Sequence, residues 1–195
     1  MESYYLIIII FTIIIYYYFN SSEVIYIKHS ASNKSYLVRN MNDKIDAVNM
    51  LDNIEKNLKK LIKILTVEKE TINNTEMYKY IMTIDNKIHD VEIQESMPNS
   101  SYTSYSVNKG ELLVFCIRSK ETFKIHDLNE LLYVAIHEIA HIGCPEVGHT
   151  DLFFKINKYL INKAIQYNIY KYIDYRLFNK EYCGMQLTIN IGEQI

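Results

Sequence analysis

The chain has 195 residues, which suits one domain of ordinary size with an appendage, and 49% of them are hydrophobic, so a substantial core can form. The net charge of −2 excludes a global basic field, and we therefore expect no nucleic-acid partner. The three cysteines are odd in number, have no CxxC spacing and form no recognisable disulfide framework, which suits a reducing compartment.

An uncharged and almost wholly apolar run extends from Tyr4 to Phe19. A membrane-spanning helix needs about 20 apolar residues, with a range near 17–25, so this run lies at the short end. Tyrosines flank it on both sides, as is typical of rings at the two interfaces of a bilayer. A cleaved secretory signal is the rival, but Glu2 and the aromatic flanks do not match its basic start and small-residue cleavage site. The run predicts a transmembrane anchor over residues 1–20, with membrane contact through residues 4–19.

The segment after this run is polar and carries basic side chains at Lys28 and Lys34, with Arg39 following. Since basic residues favour the cytosolic side of a membrane, this distribution places the remainder of the chain in the cytosol. We predict a linker over residues 21–35 and one domain over residues 36–195.

A long amphipathic helix is predicted from about Asp43 to Leu65. Its apolar residues recur every three or four positions and form one stripe, which consists of Ala47, Leu51, Ile54, Leu58, Leu61 and Leu65. A coiled-coil seam would have similar spacing, but the stripe lasts only about three heptads, so packing on the domain's own core is the better interpretation. The pattern over residues 78–93 is ambiguous and fits a helix followed by extended chain.

A β-hairpin is predicted from two runs, residues 102–107 and 112–117, which are joined through residues 108–111. Gly110 supplies the backbone conformation that the turn needs. An extended peptide can pair with the exposed edge of a sheet, so a strand that precedes the helix carrying residues 137–141 is a candidate binding edge for a peptide.

The central motif of the chain is His137-Glu-Ile-Ala-His141. Residues four apart lie on one face of a helix, so these two imidazoles can bind one zinc ion. Glu138, one position along, reaches the metal-bound water and can remove its proton, because zinc lowers the pKa of that water to about 7. A capping-box-like spacing of Asp127 and Glu130, followed by apolar residues, places the motif on a well-marked helix.

A third ligand is expected beyond this helix, because a catalytic zinc site has three protein ligands and one open position. The glycine and the proline after His141 end the helix and let the chain turn back, which makes His149 the best candidate. Glu146 and Asp151 are substitutes, whereas a small buried thiol is the more typical role for Cys144. The pattern predicts a zinc-dependent peptidase; the plainer alternative is an amphipathic helix with two ordinary histidines and an exposed glutamate.

A second helix with one apolar face is predicted from Thr150 or Asp151 to about Tyr167. The tail from residue 172 onward is predicted to be mostly irregular, with a strand at residues 185–191. The sequence contains no internal repeat and no glycine-rich phosphate loop.

The segment HEIAHIGCPEVGHTDLFF resembles WLM and SprT-like zinc metallopeptidases, in which HExxH precedes a loop, a third histidine and a helix bearing an aromatic residue. Further blocks resemble a metalloprotease-like family of large nucleocytoplasmic DNA viruses, and they begin at Tyr36 (YLVRN), Pro98 (PNS), Tyr102 (YTSYSVNKG) and Glu181 (EYCGM). This resemblance covers about residues 36–188. It implies one zinc ion with three ligands, His137, His141 and His149. Glu138 is then the general base.

Three residues of the tail also invite a functional interpretation. Tyr175 or Tyr182 could help to stabilise an oxyanion, and Met185 could form a turn beneath the metal. In a chain with 18 tyrosines, a core role is the better interpretation for each of them.

Together, these features predict an α+β fold: a zincin-like metallopeptidase domain with a small antiparallel sheet packed on helices, preceded by an N-terminal transmembrane helix. The expected function is that of a membrane-anchored viral zinc metallopeptidase acting on a protein or peptide substrate. We expect a single-pass protein of a host or virion membrane with its catalytic domain in the cytosol. The alternative is a non-catalytic structural protein of such a membrane, with zinc held by four ligands. A protease acting on nucleic-acid-bound proteins is a weaker third hypothesis.

Overall fold

The computed structural model describes residues 2–20, 23–178 and 180–187 of the chain. Its helices are α1 Glu2–Asn20, α2 Lys44–Val67, α3 Lys69–Asn73, α4 Thr75–Ile88, α5 Leu128–Gly143 and α6 Asp151–Gln166. Its strands are β1 Val24–Lys28, β2 Ser35–Arg39, β3 Glu92–Glu95, β4 Tyr105–Val107, β5 Leu112–Phe115, β6 Lys180–Tyr182 and β7 Met185–Leu187. The predicted long helix, the hairpin and the two helices around the motif are confirmed as α2, β4–β5, α5 and α6.

The main sheet has the strand order β1-β2-β3-β5-β4 and packs on helices, which confirms the α+β class. The predicted antiparallel arrangement is wrong for the centre of this sheet, because β2 and β3 pair in parallel, as do β3 and β5. The two outer pairs, β1–β2 and β4–β5, are antiparallel. The chain passes from β2 to β3 through α2, α3 and α4, and such a helical crossover returns the chain in the same direction. The strand β4 is left at one edge.

The helix that carries the motif, α5, lies in the middle of the helical layer. It packs against α2, α4 and α6 and is buried along nearly its whole length. The predicted apolar stripe of α2 is buried as well. The approach of α4 to α5 is close at Gly143, where an added Cβ atom would lie 2.9 Å from the Ile84 side chain and 3.2 Å from the Tyr80 carbonyl oxygen. A helix covered on several sides is a rigid support for a functional site.

The predicted membrane anchor is wrong. Within the described ranges, none of the helices combines the length and the apolar content that a bilayer crossing demands. The uncharged run over residues 4–19, with a rise of 1.5 Å per residue, reaches only about 24 Å, whereas the hydrocarbon core of a bilayer is about 30 Å thick. The predicted single-pass membrane localisation is therefore wrong, and the cytosolic orientation inferred from the anchor loses its basis. Membrane contact through residues 4–19 stays a prediction.

The segment that we predicted as a linker, residues 21–35, contains the strand β1. This strand pairs with β2 in antiparallel register, from Val24 opposite Arg39 to Lys28 opposite Ser35. The domain boundaries themselves stay a prediction.

α5 begins where the sequence predicts, but the capping hydrogen bond that the sequence suggested is not formed. Asp127 is the N-cap residue, yet its side chain makes no capping hydrogen bond. The buried Glu130 carboxylate instead forms an ion pair with Lys180, with Nζ and Oε1 2.6 Å apart, and lies 3.6 Å from Nδ1 of His126. The acidic residue in the first turn of α5 therefore ties this helix to β6.

The cysteines differ from the prediction, which found no disulfide framework among them and favoured a reducing compartment. Cys116, directly after β5, forms a disulfide with Cys183, which lies in the turn between β6 and β7. The two cysteines are 67 residues apart in sequence, which matches no known disulfide spacing. They meet because the β6–β7 hairpin packs next to the end of β5, where their Cα atoms are 6.2 Å apart. Cys144 is a free, buried thiol, as predicted. The predicted strand at residues 185–191 is confirmed as far as β7, and its remaining residues lie outside the described part of the chain.

Candidate metal centre

The three predicted histidines converge on one point. His137 and His141 lie one helical turn apart on α5, and His149 returns to them after the helix has ended. The Nε2 atoms are 3.3 Å apart between His137 and His141, 3.2 Å between His141 and His149, and 3.0 Å between His149 and His137. The three imidazoles could hold one metal ion.

The spacing and the protonation of these rings both fit zinc. Two nitrogen ligands at about 2.0–2.1 Å from a tetrahedral zinc ion lie about 3.3–3.4 Å apart, close to the observed separations. Burial, followed by the neighbouring His141 and His149, lowers the pKa of His137 to about 3. Burial and the nearby His149 and Lys109 lower the pKa of His141 to about 4. Both rings are therefore neutral near pH 7, which is the state that binds metal.

The structure brings His149 to the other two rings and leaves its predicted substitutes outside. In the described ranges, no carboxylate or thiolate joins the cluster of three imidazoles. Glu146 lines the adjacent cavity, and Asp151 is an exposed residue in the first turn of α6.

The Phe153 ring contacts all three imidazoles. The sequence did not predict this role, because Phe153 fits the apolar face of a helix. It is fully buried in the first turn of α6. The side chain of Thr150 accepts a hydrogen bond from the Phe153 backbone N–H at 3.3 Å, so the N-cap of α6 also fixes this ring beneath the site.

Glu138 is buried beside the imidazoles and has an unusual protonation equilibrium. Burial raises the pKa of its carboxyl group to about 7, while a hydrogen bond from the Ser106 backbone acts in the opposite direction. A carboxylate of this kind exchanges a proton readily near neutral pH. Ser106 belongs to the edge strand β4, so the strand and the motif helix meet at this carboxyl group.

A cavity of about 620 Å³ opens beside the three histidines and Glu138. It lies between α5, the strand β4, the loop at residues 146–149 and the β6–β7 hairpin. Its walls are mainly apolar and include Val134, Phe154, Met185 and Leu187.

The two tyrosines that we considered for an oxyanion role have different positions. Tyr182 is buried in the cavity wall, where its hydroxyl group lies 2.6 Å from Oγ of Ser104, and burial raises the pKa of Tyr182. Tyr175 packs in the core against Tyr133, with ring centroids 5.2 Å apart. Met185 is half exposed at the mouth of the cavity.

Comparison with known proteins finds relatives in viruses. The uncharacterized protein R325 of Acanthamoeba polyphaga mimivirus is 44% identical over 165 residues, which cover 84% of this chain and 82% of that protein. The uncharacterized protein 042R of Invertebrate iridescent virus 3 is 35% identical over 104 residues, covering 53% of this chain and 58% of that protein. The uncharacterized protein 136R of Invertebrate iridescent virus 6 is 37% identical over 82 residues, covering 41% and 44%. No family model matches the chain.

Among solved structures, the crystal structure of Wss1 from Saccharomyces cerevisiae aligns with 51% of this chain and 84% of that chain. The sequence identity is 13% and the TM-score is 0.36. A structural likeness this weak says nothing about function. The function has to be inferred from the side chains of the site.

Proposed function

The chain belongs to the same protein family as protein R325 of Acanthamoeba polyphaga mimivirus, and we propose that it is a zinc-dependent metallopeptidase that hydrolyses peptide bonds. One observation carries the proposal: three imidazole nitrogens lie within 3.0–3.3 Å of one another on the wall of a cavity, beside a buried carboxyl group. His137, His141 and His149 are the proposed ligands, and Glu138 is the proposed catalytic residue.

The number of ligands favours catalysis over a purely structural role for the metal. Structural zinc is usually held by four protein ligands, whereas catalytic zinc has three and an open position. The cluster consists of three imidazoles among the residues that the structure describes, and all three line the cavity. Cys144, which a four-ligand site could have used, is fully buried and does not belong to the cluster.

The proposed chemistry assigns the proton transfers to Glu138. A bound zinc ion supplies Lewis acidity at the scissile carbonyl and lowers the pKa of a water molecule to about 7. The Glu138 carboxylate accepts the proton of the attacking water and later donates it to the leaving amine. A pKa near 7 suits both steps, because the group must be a base first and an acid afterwards.

A protein or peptide is the proposed substrate, and β4 is the proposed binding edge. β4 is one of the two edge strands of the main sheet and lines the cavity next to the proposed ligands. An extended peptide can add to such an edge through backbone hydrogen bonds. The apolar wall that includes Val134 and Leu187 is suited to an apolar side chain of the substrate.

Zinc stoichiometry and the substitution Glu138→Gln test the proposal together. Purified wild-type protein is expected to bind one equivalent of zinc and to cleave a peptide library. Glu138→Gln should bind zinc almost as tightly and cleave about 10²–10⁴-fold more slowly, which is the usual contribution of a general base. Glu121→Gln is the control for the same chemical change, because Glu121 is exposed and lies outside the cavity, and this variant should keep its activity. Cleavage by Glu138→Gln at the wild-type rate, or a wild type that binds no zinc, would refute the assignment.

A further inference from the structure

The loop between the second and the third histidine has little support of its own. α5 ends at Gly143, and residues 145–149 are exposed and belong to no helix or strand. Their backbone groups make no hydrogen bond with another backbone group in the described part of the chain. His149 is itself exposed, so its imidazole depends on this loop for its position beside the other two rings.

Lys109 holds this loop from the opposite side of the site. Its Nζ atom donates to three successive backbone carbonyl oxygens, at 2.6 Å from Cys144, 2.8 Å from Pro145 and 2.9 Å from Glu146. An ammonium group has three N–H donors, so these three carbonyls use all of them, and none is left for a substrate. The positive charge also lies at the C-terminus of α5, where the helix dipole favours a cation.

The conformation of the β4–β5 turn positions the Lys109 ammonium group next to this loop. Asn108, Lys109 and Gly110 have φ angles of 47°, 52° and 105°, so three consecutive residues adopt left-handed conformations. A Cβ atom added at Gly110 would lie 3.1 Å from the Ile142 side chain, so the turn packs directly against the last turn of α5. Lys87 of α4 donates to the Lys109 carbonyl oxygen at 2.7 Å and fixes the turn from its other side.

We propose that Lys109 is a positioning residue of the metal centre: it orders the loop at residues 145–149, keeps His149 beside the other two imidazoles and thereby raises the affinity for zinc. The proposal rests on the proposed function, because it requires that His149 binds metal. Lys109 acts through the loop, because its three donors are all used by the carbonyl oxygens of residues 144–146. Its effect should therefore depend on the presence of the third imidazole.

A double-mutant cycle on zinc affinity tests this dependence. Zinc dissociation constants of the wild type, Lys109→Met, His149→Ala and the double variant are measured by competition with a chromogenic chelator. Lys109→Met is expected to weaken binding at least tenfold in the wild-type background and less than twofold in the His149→Ala background. A merely structural lysine would weaken binding equally in both backgrounds. Lys155→Met is the matched control, because it removes an exposed lysine paired with Glu76 on the surface and should leave zinc affinity unchanged.

Each outcome of the cycle decides the proposal. Equal zinc affinity of Lys109→Met and wild type, or equal losses in both backgrounds, would overturn the role of Lys109 and leave the metal site intact. Absence of zinc binding by the wild type would overturn the proposed function and this inference with it. If circular dichroism shows that Lys109→Met does not fold, Lys109→Gln takes its place, because its shorter side chain is polar but has two donors and cannot bond all three carbonyl oxygens. The same dependence on His149 is then required.

Discussion

His141 stacks on Phe153, with ring centroids 4.1 Å apart and an angle of 21° between the ring planes. The same Phe153 ring lies 4.8 Å from the His137 ring and 4.9 Å from the His149 ring. One buried aromatic side chain thus contacts all three imidazoles and limits their rotation. The site is largely preorganised, which lowers the conformational entropy that metal binding costs.

The substitution Phe153→Leu is expected to weaken zinc binding about tenfold, because groups that orient metal ligands typically contribute this much to affinity. The leucine side chain keeps the position apolar but cannot stack on His141. Zinc affinity is measured by competition with a chelator. Phe115→Leu is the control, because Phe115 is equally buried in β5, and its loss should lower stability while leaving the zinc affinity of the folded protein unchanged. Equal zinc affinities of Phe153→Leu and wild type would disprove the supporting role.

The metal-free protein is expected to lose stability as the pH falls from 7 to 5. The unfolded chain protonates His137 and His141 near pH 6.5, whereas in the folded state the pKa values are about 3 and about 4, so acid favours unfolding. Burial also lowers the pKa of His126, which adds to the same trend. Glu138 acts in the opposite direction, because its folded pKa of about 7 lies above the ordinary value of 4.5 and the folded state binds the extra proton.

The substitution Glu138→Gln removes this opposing proton, so the metal-free variant should lose stability more steeply than the wild type over the same pH range. Denaturant unfolding at pH 7 and pH 5 in the presence of a chelator measures both slopes. A variant slope equal to or shallower than that of the wild type would show that Glu138 is not protonated in the folded protein near neutral pH.

Reduction of the Cys116–Cys183 disulfide is expected to destabilise the protein. In the chain-entropy account, a bond that closes a loop of 67 residues contributes about 4 kcal/mol, or roughly 10 °C in melting temperature for a chain of this size. Melting temperatures with and without dithiothreitol measure the effect. Cys144→Ala should respond to the reductant as the wild type does, because Cys144 is not bonded, whereas Cys183→Ser should not respond. A wild type insensitive to the reductant would contradict the pairing.

Most of the chemistry at the candidate site could be predicted from local sequence. The spacing of His137 and His141 determines their shared face once the helix forms, and the position of Glu138 follows from the same helix. His149 was predicted because a glycine and a proline limit how far the chain can travel from α5. The stripe of α2 is likewise a local pattern, and its burial was predicted for that reason.

The prediction of a transmembrane helix was also based on local sequence, and it was wrong. A run of apolar residues indicates a preference for an apolar environment, and the number of consecutive residues decides whether a helix of that run can cross a bilayer. The run over residues 4–19 lies at the lower limit of this length. The parallel pairing of β2 with β3 could not be predicted either, because strand direction depends on the path of the intervening helices rather than on the strands themselves.

Residue types, the helical spacing of His137 and His141, and the glycine and proline before His149 were enough to identify the imidazoles and the carboxylate that carry the proposed chemistry. The supports of that chemistry became visible only in the folded chain. The Lys109 ammonium group reaches a carbonyl 35 residues away, Cys116 pairs across 67 residues, and Phe153 lies on a different helix from the rings of His137 and His141. Contacts between distant parts of a chain leave no periodic pattern in the sequence, because they arise from how helices and strands pack against one another.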